Sequence, residues 1–277
     1  MSRLCQGLNL SPSGYYAWRQ RPVSRREMAN RALMHKIEVA HRDSDETYGS
    51  PRVYQELKAQ GVACSENRVA RLMRLRGLRA KQSRSFKVTT RRNPADRVAP
   101  NILKRQFTVE RLDQVWLADM TYILTGEGWL YLAAVLDLCS RRLVGWSMAA
   151  RMTAELTETA LKMALQQRQP AGGLIHHSDQ GSQYTDQGYQ ALLAAHDIRV
   201  SMNAAGTWYD NAPIESFFGT LKSELVYHRW YVTRTQARTD VFRYIEAFYN
   251  RRRRHSALGY LSPAVYEELY HKYRLAA

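Results

Sequence analysis

Three acidic residues stand where acids are poorly tolerated. Asp119 lies inside the β-branched and aromatic run WLADMTYI, Asp179 follows the short segment 174–177, and Glu215 opens the helix of WYDNAPIESFFGTLKSE, a stretch that reads as a loop running into a helix. A strand centre and a strand end are poor places for unpaired carboxylates, and two such charges about 4 Å apart repel by roughly 4 kcal/mol at an effective dielectric near 20. If the three converge, a cation must sit between them. Oxygen ligands alone, with no cysteine and no paired histidines at metal spacing, select a hard ion such as Mg²⁺ or Mn²⁺. Two such ions about 3.5–4 Å apart suit in-line displacement at phosphorus, one activating the attacking oxygen and the other steadying the leaving 3′ oxygen. Lys222 lies two helical turns beyond Glu215 on the same edge. A protonated lysine has no lone pair for a metal, so its expected role is to hold a substrate phosphate.

The elements that must carry these residues can be read from periodicity. Asp210 or Asn211 can cap the last helix of this region, and Pro213 falls in its first turn, where a missing N–H costs nothing. Ile214, Phe217, Phe218, Leu221 and Leu225 then recur at helical spacing, an apolar stripe with Glu215 and Lys222 at its edge. Upstream, WLADMTYI, WLYLAAVLDL and LVGWSM read as three antiparallel strands joined by tight turns. A helix with Leu156, Ala160 and Met163 on one face follows, then a strand over 174–177 that delivers Asp179 at its tip. A helix around Tyr189, Leu192 and Leu193 and a strand over 198–202 complete the order βββαβαβα, an α/β mixed sheet flanked by helices. Asp137, in the second strand, is expected to tie down its own turn through Arg141 or Arg142, with a fourth catalytic acid as the alternative. His176 and His177 are adjacent, so on a strand they face opposite ways. Gln180 and Gly181 shape the strand exit. Trp208 and Tyr209 either stack on a base or pin their loop.

The N-terminal part has a different grammar. Leu4, Leu8 and Leu10 and the aromatic group Tyr15, Tyr16 and Trp18 read as short helices meeting at a corner. Ser24 opens a helix with Glu27 in capping-box position. A helix from the Tyr48-Gly49-Ser50-Pro51 turn to Gly61, and another capped by Ser65 and ended by Gly77, form a helix-turn-helix whose second helix carries Arg68, Arg71, Arg74 and Arg76. Arg68, Arg71 and Arg74 are the expected DNA contacts. From 79 to 105 periodicity vanishes and basic residues dominate, which reads as an extended linker tracking a phosphate backbone. Over all 277 residues, 41 Lys+Arg against 25 Asp+Glu give a net charge of +16, an excess that points to a polyanionic partner. Cys5, Cys64 and Cys139 are odd in number and widely spaced, which argues against zinc and disulfides and for a reducing compartment. The longest apolar run, 129–138, is too short to span a bilayer, so a cytoplasmic, nucleoid-associated protein is expected.

Three ordered motifs then carry a resemblance. Trp116-Leu117-Ala118-Asp119-Met120-Thr121, His177-Ser178-Asp179-Gln180-Gly181-Ser182-Gln183-Tyr184 and Asp210-Asn211-Ala212-Pro213-Ile214-Glu215-Ser216-Phe217 resemble the DDE transposase and retroviral-integrase superfamily. The 35 residues between Asp179 and Glu215 match its Asp–Asp–35–Glu spacing. The tail (Tyr249-Asn250, His255, Leu258-Gly259-Tyr260, Ser262-Pro263) and the N-terminal Ser13-Gly14-Tyr15-Tyr16-Ala17-Trp18 are similar to the OrfB transposases of the bacterial insertion-sequence family named for IS three. The resemblance covers nearly the whole chain. It implies a ribonuclease-H-like core, magnesium dependence, and strand cleavage and transfer at the terminal inverted repeats of a mobile element. It also implies self-association or an OrfA partner, joined to OrfB in a frameshift fusion whose upstream part supplies end recognition. The zinc module of retroviral integrases is absent from the sequence.

The expected organisation is N-terminal helices over 1–45, a helix-turn-helix DNA-binding region over 46–80, and a basic linker over 81–112. The ribonuclease-H-like integrase core then occupies 113–250, and a basic C-terminal tail 251–277. Asp119, Asp179 and Glu215 are the expected catalytic and metal-binding residues, with Lys222, Arg68, Arg71, Arg74 and Trp208 on DNA. The expected function is a metal-dependent DNA transposase. The alternatives are a ribonuclease-H-type hydrolytic nuclease, which would gather a fourth acid, and a non-catalytic DNA-binding regulator of transposition.

Overall fold

The computed structural model describes residues 2–9, 11–81, 99–104, 106–203 and 211–275. The chain divides into two units, Met1–Ala80 and Lys81–Ala277. Trp208, Tyr209 and Asp210, and most of the basic linker, lie outside the described residues.

The first unit is helical: α1 (Ser2–Gly7), α2 (Pro12–Gln20), α3 (Arg25–Asp43), α4 (Ser50–Ala59) and α5 (Glu66–Leu75). Local chemistry sets the starts. The hydroxyls of Ser11, Ser24 and Ser65 accept hydrogen bonds from the N–H groups of Gly14, Glu27 and Arg68. The Glu27 carboxylate pairs with Arg31 at 3.2 Å on the next turn. Leu33, Ile37 and Ala40 of α3, Val53 and Leu57 of α4, and Val69, Leu72 and Met73 of α5 are buried, so three amphipathic stripes close one small core. Gly61 and Gly77, just past α4 and α5, adopt φ of +71° and +72°, which a side chain would strain.

The second unit is built on β1 (Val115–Thr125), β2 (Gly128–Asp137), β3 (Leu143–Ala149), β4 (Ile175–Ser178) and β5 (Arg199–Met202). The sheet order is β3-β2-β1-β4-β5. The first three strands pair antiparallel, and β4 and β5 run parallel to β1. Between and after them come α6 (Ala154–Arg168), α7 (Ser182–Thr185), α8 (Gln187–Ala195), α9 (Ala212–Glu224), α10 (Arg234–Arg243), a π-helical turn Tyr244–Tyr249, and α11 (Pro263–Leu275). Trp116 and Ala118 of β1, with Ala133, Val135 and Val144, pack beneath Leu156, Ala160, Leu161, Ala164 and Leu165 of α6 and Tyr189 and Leu193 of α8. Met163 is only half-buried and flanks this stripe, its Sδ accepting the Trp146 N–H. At Gly145 a Cβ would fall 2.2 Å from the Ala160 carbonyl oxygen, so glycine alone permits α6 to approach β3 this closely. On the other face, Leu117 and Ile123 are buried and α9 packs on β1.

Candidate active site

Parallel pairing of β1 with β4 brings together the segments that carry the first two acids. Leu117↔His177 is the last pair of this ladder; Asp119 lies two residues further along β1, and Asp179 follows the end of β4. Asp119 Oδ1 accepts the Met120 N–H at 2.7 Å. Asp179 Oδ1 accepts the Gly181 N–H at 3.0 Å, and a Cβ on residue 181 would crowd that oxygen and Gln183. Gln180 Nε2 donates to the Asn203 carbonyl at 2.5 Å, and the Asn203 N–H donates to the Ser178 carbonyl. Both neighbours of Asp179 therefore shape the strand exit.

The third acid is tied to the same strand. Asn211 occupies the N-cap position of α9, but its side chain does not cap the helix. Asn211 Nδ2 donates instead to the Ala118 carbonyl at 3.1 Å, across 93 residues, and anchors the helix start beside Asp119. Glu215 follows one turn later. The whole apolar stripe (Ile214, Phe217, Phe218, Leu221 and Leu225) is buried, and Glu215 is exposed.

The electrostatics join the three acids. Burial raises the Asp119 carboxyl well above the usual carboxylate range, and the charges of Asp179 and Glu215 add to it. The Met120 N–H and the Lys222 ammonium oppose the rise. Asp179 is raised by burial, and Glu215 by burial and then by Asp179. Each acid thus lies within the field of another. As placed, no group of three or more His, Cys, Asp or Glu among the described residues is gathered closely enough to hold one ion.

Lys222 departs from the expected edge position, because it is buried. Its Nζ sits 5.0 Å from the centroid of the Tyr122 ring. Burial lowers its pKa, and the charge of Asp119 works against that fall. The long aliphatic stem allows this: it crosses apolar surface while the ammonium keeps to a π face and a carboxylate.

Tyr184, to which the sequence reading gives no role beyond membership of the motif around Asp179, lies within the field of Asp119 and Asp179. It is buried, its hydroxyl has no hydrogen-bond partner among the described residues, and Asp119 and Asp179 help burial raise its pKa. Its position in the motif around Asp179 was the available signal. The two histidines face apart, as alternation demands. His176 is buried against Tyr184 and Tyr189, shares a 2.8 Å hydrogen bond with the Tyr189 hydroxyl, and burial pushes it down to about 3, so it is neutral. His177 bonds Ser201 Oγ at 2.8 Å and Asn203 Oδ1 at 2.7 Å.

Asp137 ties its turn as expected through the backbones of Arg141 and Arg142. Its carbonyl accepts the Arg141 N–H at 2.9 Å, and its N–H donates to the Arg142 carbonyl at 2.8 Å. The side chain takes other partners. Its carboxylate accepts from the Ser140 N–H at 2.7 Å, the Ser140 hydroxyl at 2.9 Å and the Asp113 N–H at 2.8 Å. In the basic run 251–254, Arg253 is buried and forks onto Glu224.

In the helical unit, Arg68 donates through Nε and Nη2 to Asn30 Oδ1 at 3.0 and 2.8 Å, and Arg76 pairs with Glu38 at 2.8 Å. Arg71 and Arg74 are exposed. A cavity of ≈ 460 Å³ at the start of α5 is lined by Arg26, Ala29, Ser65, Asn67, Arg68 and Arg71, which adds Arg26 to the basic residues found from the sequence.

Among the described residues no helix is long and apolar enough to cross a membrane. Family comparison matches an HTH-like domain over residues 28–86 and an integrase core domain over 110–207 and again over 196–263. A relative from Shigella sonnei, the insertion element IS600 uncharacterized 31 kDa protein, is 46% identical over 97% of this chain and 99% of its own. The transposase InsF for insertion sequence IS3A of Escherichia coli (strain K12) is 44% identical over 95% of this chain and 92% of its own. Among solved structures, the catalytic core domain of BIV integrase aligns with a TM-score of 0.44 at 16% identity, over 58% of this chain and 99% of that one. The HTLV-2 integrase catalytic core domain in complex with magnesium aligns with a TM-score of 0.34 at 19% identity, over 40% of this chain and 68% of that one. With a helix-turn-helix-like region, an integrase core and relatives this similar along almost their whole length, the chain belongs to the insertion-sequence transposases of the DDE/integrase type, the family of InsF of IS3.

Proposed function

We propose that Asp119, Asp179 and Glu215 are the catalytic acids of a metal-dependent centre that cleaves and joins DNA strands at the terminal inverted repeats of a bacterial insertion sequence. The observation that supports this reading is that Asp119 feels the charges of both Asp179 and Glu215, from segments that β1–β4 pairing and the Asn211–Ala118 hydrogen bond draw to one strand. The donor set fits a hard divalent cation: it is made of carboxylate oxygens only, and each acid is raised by burial, Asp119 and Glu215 also by their neighbours' charge. Asp119, Asp179 and Glu215 would hold Mg²⁺ or Mn²⁺, taken as two ions, which would supply charge neutralisation at phosphorus. In the hydrolytic step a water oxygen bonds to phosphorus as the bond to the 3′ oxygen breaks. In the joining step that 3′-OH attacks a phosphorus of target DNA and expels another 3′ oxygen.

The chain's own groups orient these events. Gly181 and Gln180 hold Asp179 at the strand exit, Tyr184 closes the site from the core side, and Lys222 supplies positive charge for the phosphate beside Asp119. Residues 46–80 meet the element's end through Arg71 and Arg74 with Arg68, and 81–112 track the backbone. The core over 113–250 does the chemistry, with the basic segment 251–277 following it and the helices of 1–45 preceding the recognition region. Trp208, shortly before α9 in the sequence, stacks on DNA. A second copy, or an OrfA or OrfA–OrfB partner, completes the assembly on DNA in the nucleoid.

Asp179→Asn tests the assignment. With the full chain, its partner and an end fragment, cleavage and strand joining in Mg²⁺ are expected to vanish, while end binding in Ca²⁺ stays within about twofold of wild type. Strand joining retained by the variant would contradict the assignment.

A further inference from the structure

The segment after α10 is joined both to the sheet and to the helix that carries Glu215. Tyr244–Tyr249 is a π-helical turn, and Tyr244, Ile245, Phe248 and Tyr249 are buried. On an α-helix, residues five apart diverge by about 140°. The wider π turn brings them onto one side, so Tyr244 and Tyr249 both reach α9. The Tyr244 hydroxyl donates to Glu224 Oε2 at 2.7 Å, and the Tyr249 ring meets Phe217 edge to face at 4.8 Å. Asn250 then grips β3 with both ends of its amide. Its Oδ1 accepts the Leu143 N–H at 3.0 Å, and its Nδ2 donates to the Leu143 carbonyl at 3.1 Å. Trp146 of the same strand donates from Nε1 to Glu246 Oε1 at 2.8 Å. Three residues beyond Asn250, Arg253 forks onto Glu224, with Nε 2.9 Å from Oε2 and Nη2 2.7 Å from Oε1.

Glu224 sits where it can govern the rotation of α9. At about 100° per residue, Glu215 and Lys222 lie on one side of the buried apolar stripe. Glu224 lies about half a turn round from Glu215, on the other side of that stripe. Asn211 holds only the helix start. A slip of α9 by about 20° about its axis would carry a group about 6 Å from the axis through about 2 Å. Misplacement by about 1 Å is enough to cost on the order of 10²-fold in rate. Glu224 and Arg253 are both buried, and a buried ion pair adds little stability that well-packed apolar residues would not. What it adds is direction, because a planar fork on a carboxylate fixes distance and angle together.

We infer that the Glu224–Arg253 fork, seated on β3 through Asn250, is a strut that sets the rotation of α9 and so the placement of Glu215 and Lys222. Glu224, Arg253, Tyr244 and Asn250 are then positioning residues for the metal centre. This deepens the proposed function and rests on it.

The test uses the full chain with Mn²⁺ alone as the probe. A triple variant, Glu224→Leu with Arg253→Met and Tyr244→Phe, removes the fork without leaving a charge unpaired. It is expected to melt in EDTA at or near the wild-type temperature. In calorimetric titration it should bind Mn²⁺ about tenfold more weakly, the scale of loss when a partner supporting a metal ligand is removed. Arg253→Lys keeps the charge and loses the fork, and gives a second variant should the triple one fold poorly. Its Mn²⁺ affinity is expected to fall between the two. Wild-type Mn²⁺ affinity in either variant would overturn the strut, and a lowered melting temperature alongside that affinity would make the pair a support of the fold alone. Asp179→Asn separates this failure from failure of the proposed active site. If Asp179→Asn binds Mn²⁺ like wild type, the site assignment fails, and amide exchange over 215–222 in EDTA then judges the strut. Faster exchange there in Arg253→Lys, with β1 unchanged, supports it, and unchanged exchange overturns it.

Discussion

Near the start of β1, Asp137, Asp113 and Glu267 form a group of acids fully engaged by the protein. Asp137 accepts from Ser140 and from the Asp113 N–H, and Arg168 reaches Asp113 at 2.8 Å and Glu267 at 3.0 Å. Arg142 reaches Glu267 at 2.5 Å, and the Ser140 hydroxyl lies 2.8 Å from Glu267. Burial alone would raise Glu267, but Arg168 and these hydrogen bonds bring it below its ordinary value. Asp137 pairs with Trp116, and Asp119 lies three residues further along β1. There Asp179 and Glu215 raise Asp119, and Asp179 raises Glu215; the hydrogen bonds given to Asp119 and Asp179 come from single backbone N–H groups, and Lys222 is the cation acting on Asp119. The first group's carboxylates are answered by arginines, a serine and backbone N–H groups inside the protein; the second group's mutual repulsion fits the proposed metal centre.

That contrast can be broken most forcefully at Arg168. Arg168→Ala would leave Glu267 and Asp113 buried with one cation removed, and should cost about 3–5 kcal/mol, read as a lower midpoint in urea. A cost below about 1 kcal/mol would mean that the first group does not hold the fold.

Asp137 sharpens the comparison through pH. Burial pushes its carboxyl up to about 6, with its hydrogen bonds pulling the other way. The folded value lies above the unfolded one, so the stabilisation from the protonated acid is fully present below about pH 4 and is lost as pH rises through about 6. The loss is on the order of 3 kcal/mol. Whatever its absolute stability, Asp137→Asn should show a flatter dependence of Tm on pH between about 4 and 7. An unchanged slope would place the titrating group elsewhere.

The strands and the apolar helix stripe were legible in the sequence because they follow from periodicity and local turn chemistry. Long-range contacts were not. Asn211 reads as a cap, and nothing local reveals that it reaches Ala118 93 residues away. Lys222 reads as a helix-edge cation, yet its stem is drawn onto Tyr122 of a different element. Ser140 and the Asp113 N–H answer the Asp137 carboxylate, while Arg141 and Arg142 meet Asp137 through their backbones only, a division that residue type and spacing do not reveal.

The same distinction between engaged and available charge runs through the helical unit, with smaller consequences. Arg68 is held by Asn30 and Arg76 by Glu38, whereas Arg71 and Arg74 are exposed on the same helix. Replacing Arg71 and Arg74 by Ala should reduce the log–log salt slope of DNA binding by about 2, near 0.9 for each phosphate no longer neutralised. Arg68→Ala should change that slope less. The reverse order would show that Arg68 leaves Asn30 to meet DNA.

The most direct measurement is the effect of Mn²⁺ on thermal stability, because a cation that binds the folded site and not the unfolded chain must raise Tm. The wild type should melt higher in Mn²⁺ than in EDTA, Asp179→Asn should melt at the same temperature in both, and Glu267→Gln should start lower but keep the full Mn²⁺ rise. A Mn²⁺ rise that survives in Asp179→Asn, or is lost in Glu267→Gln alone, would contradict the assignment of Asp119, Asp179 and Glu215 as the metal-holding acids.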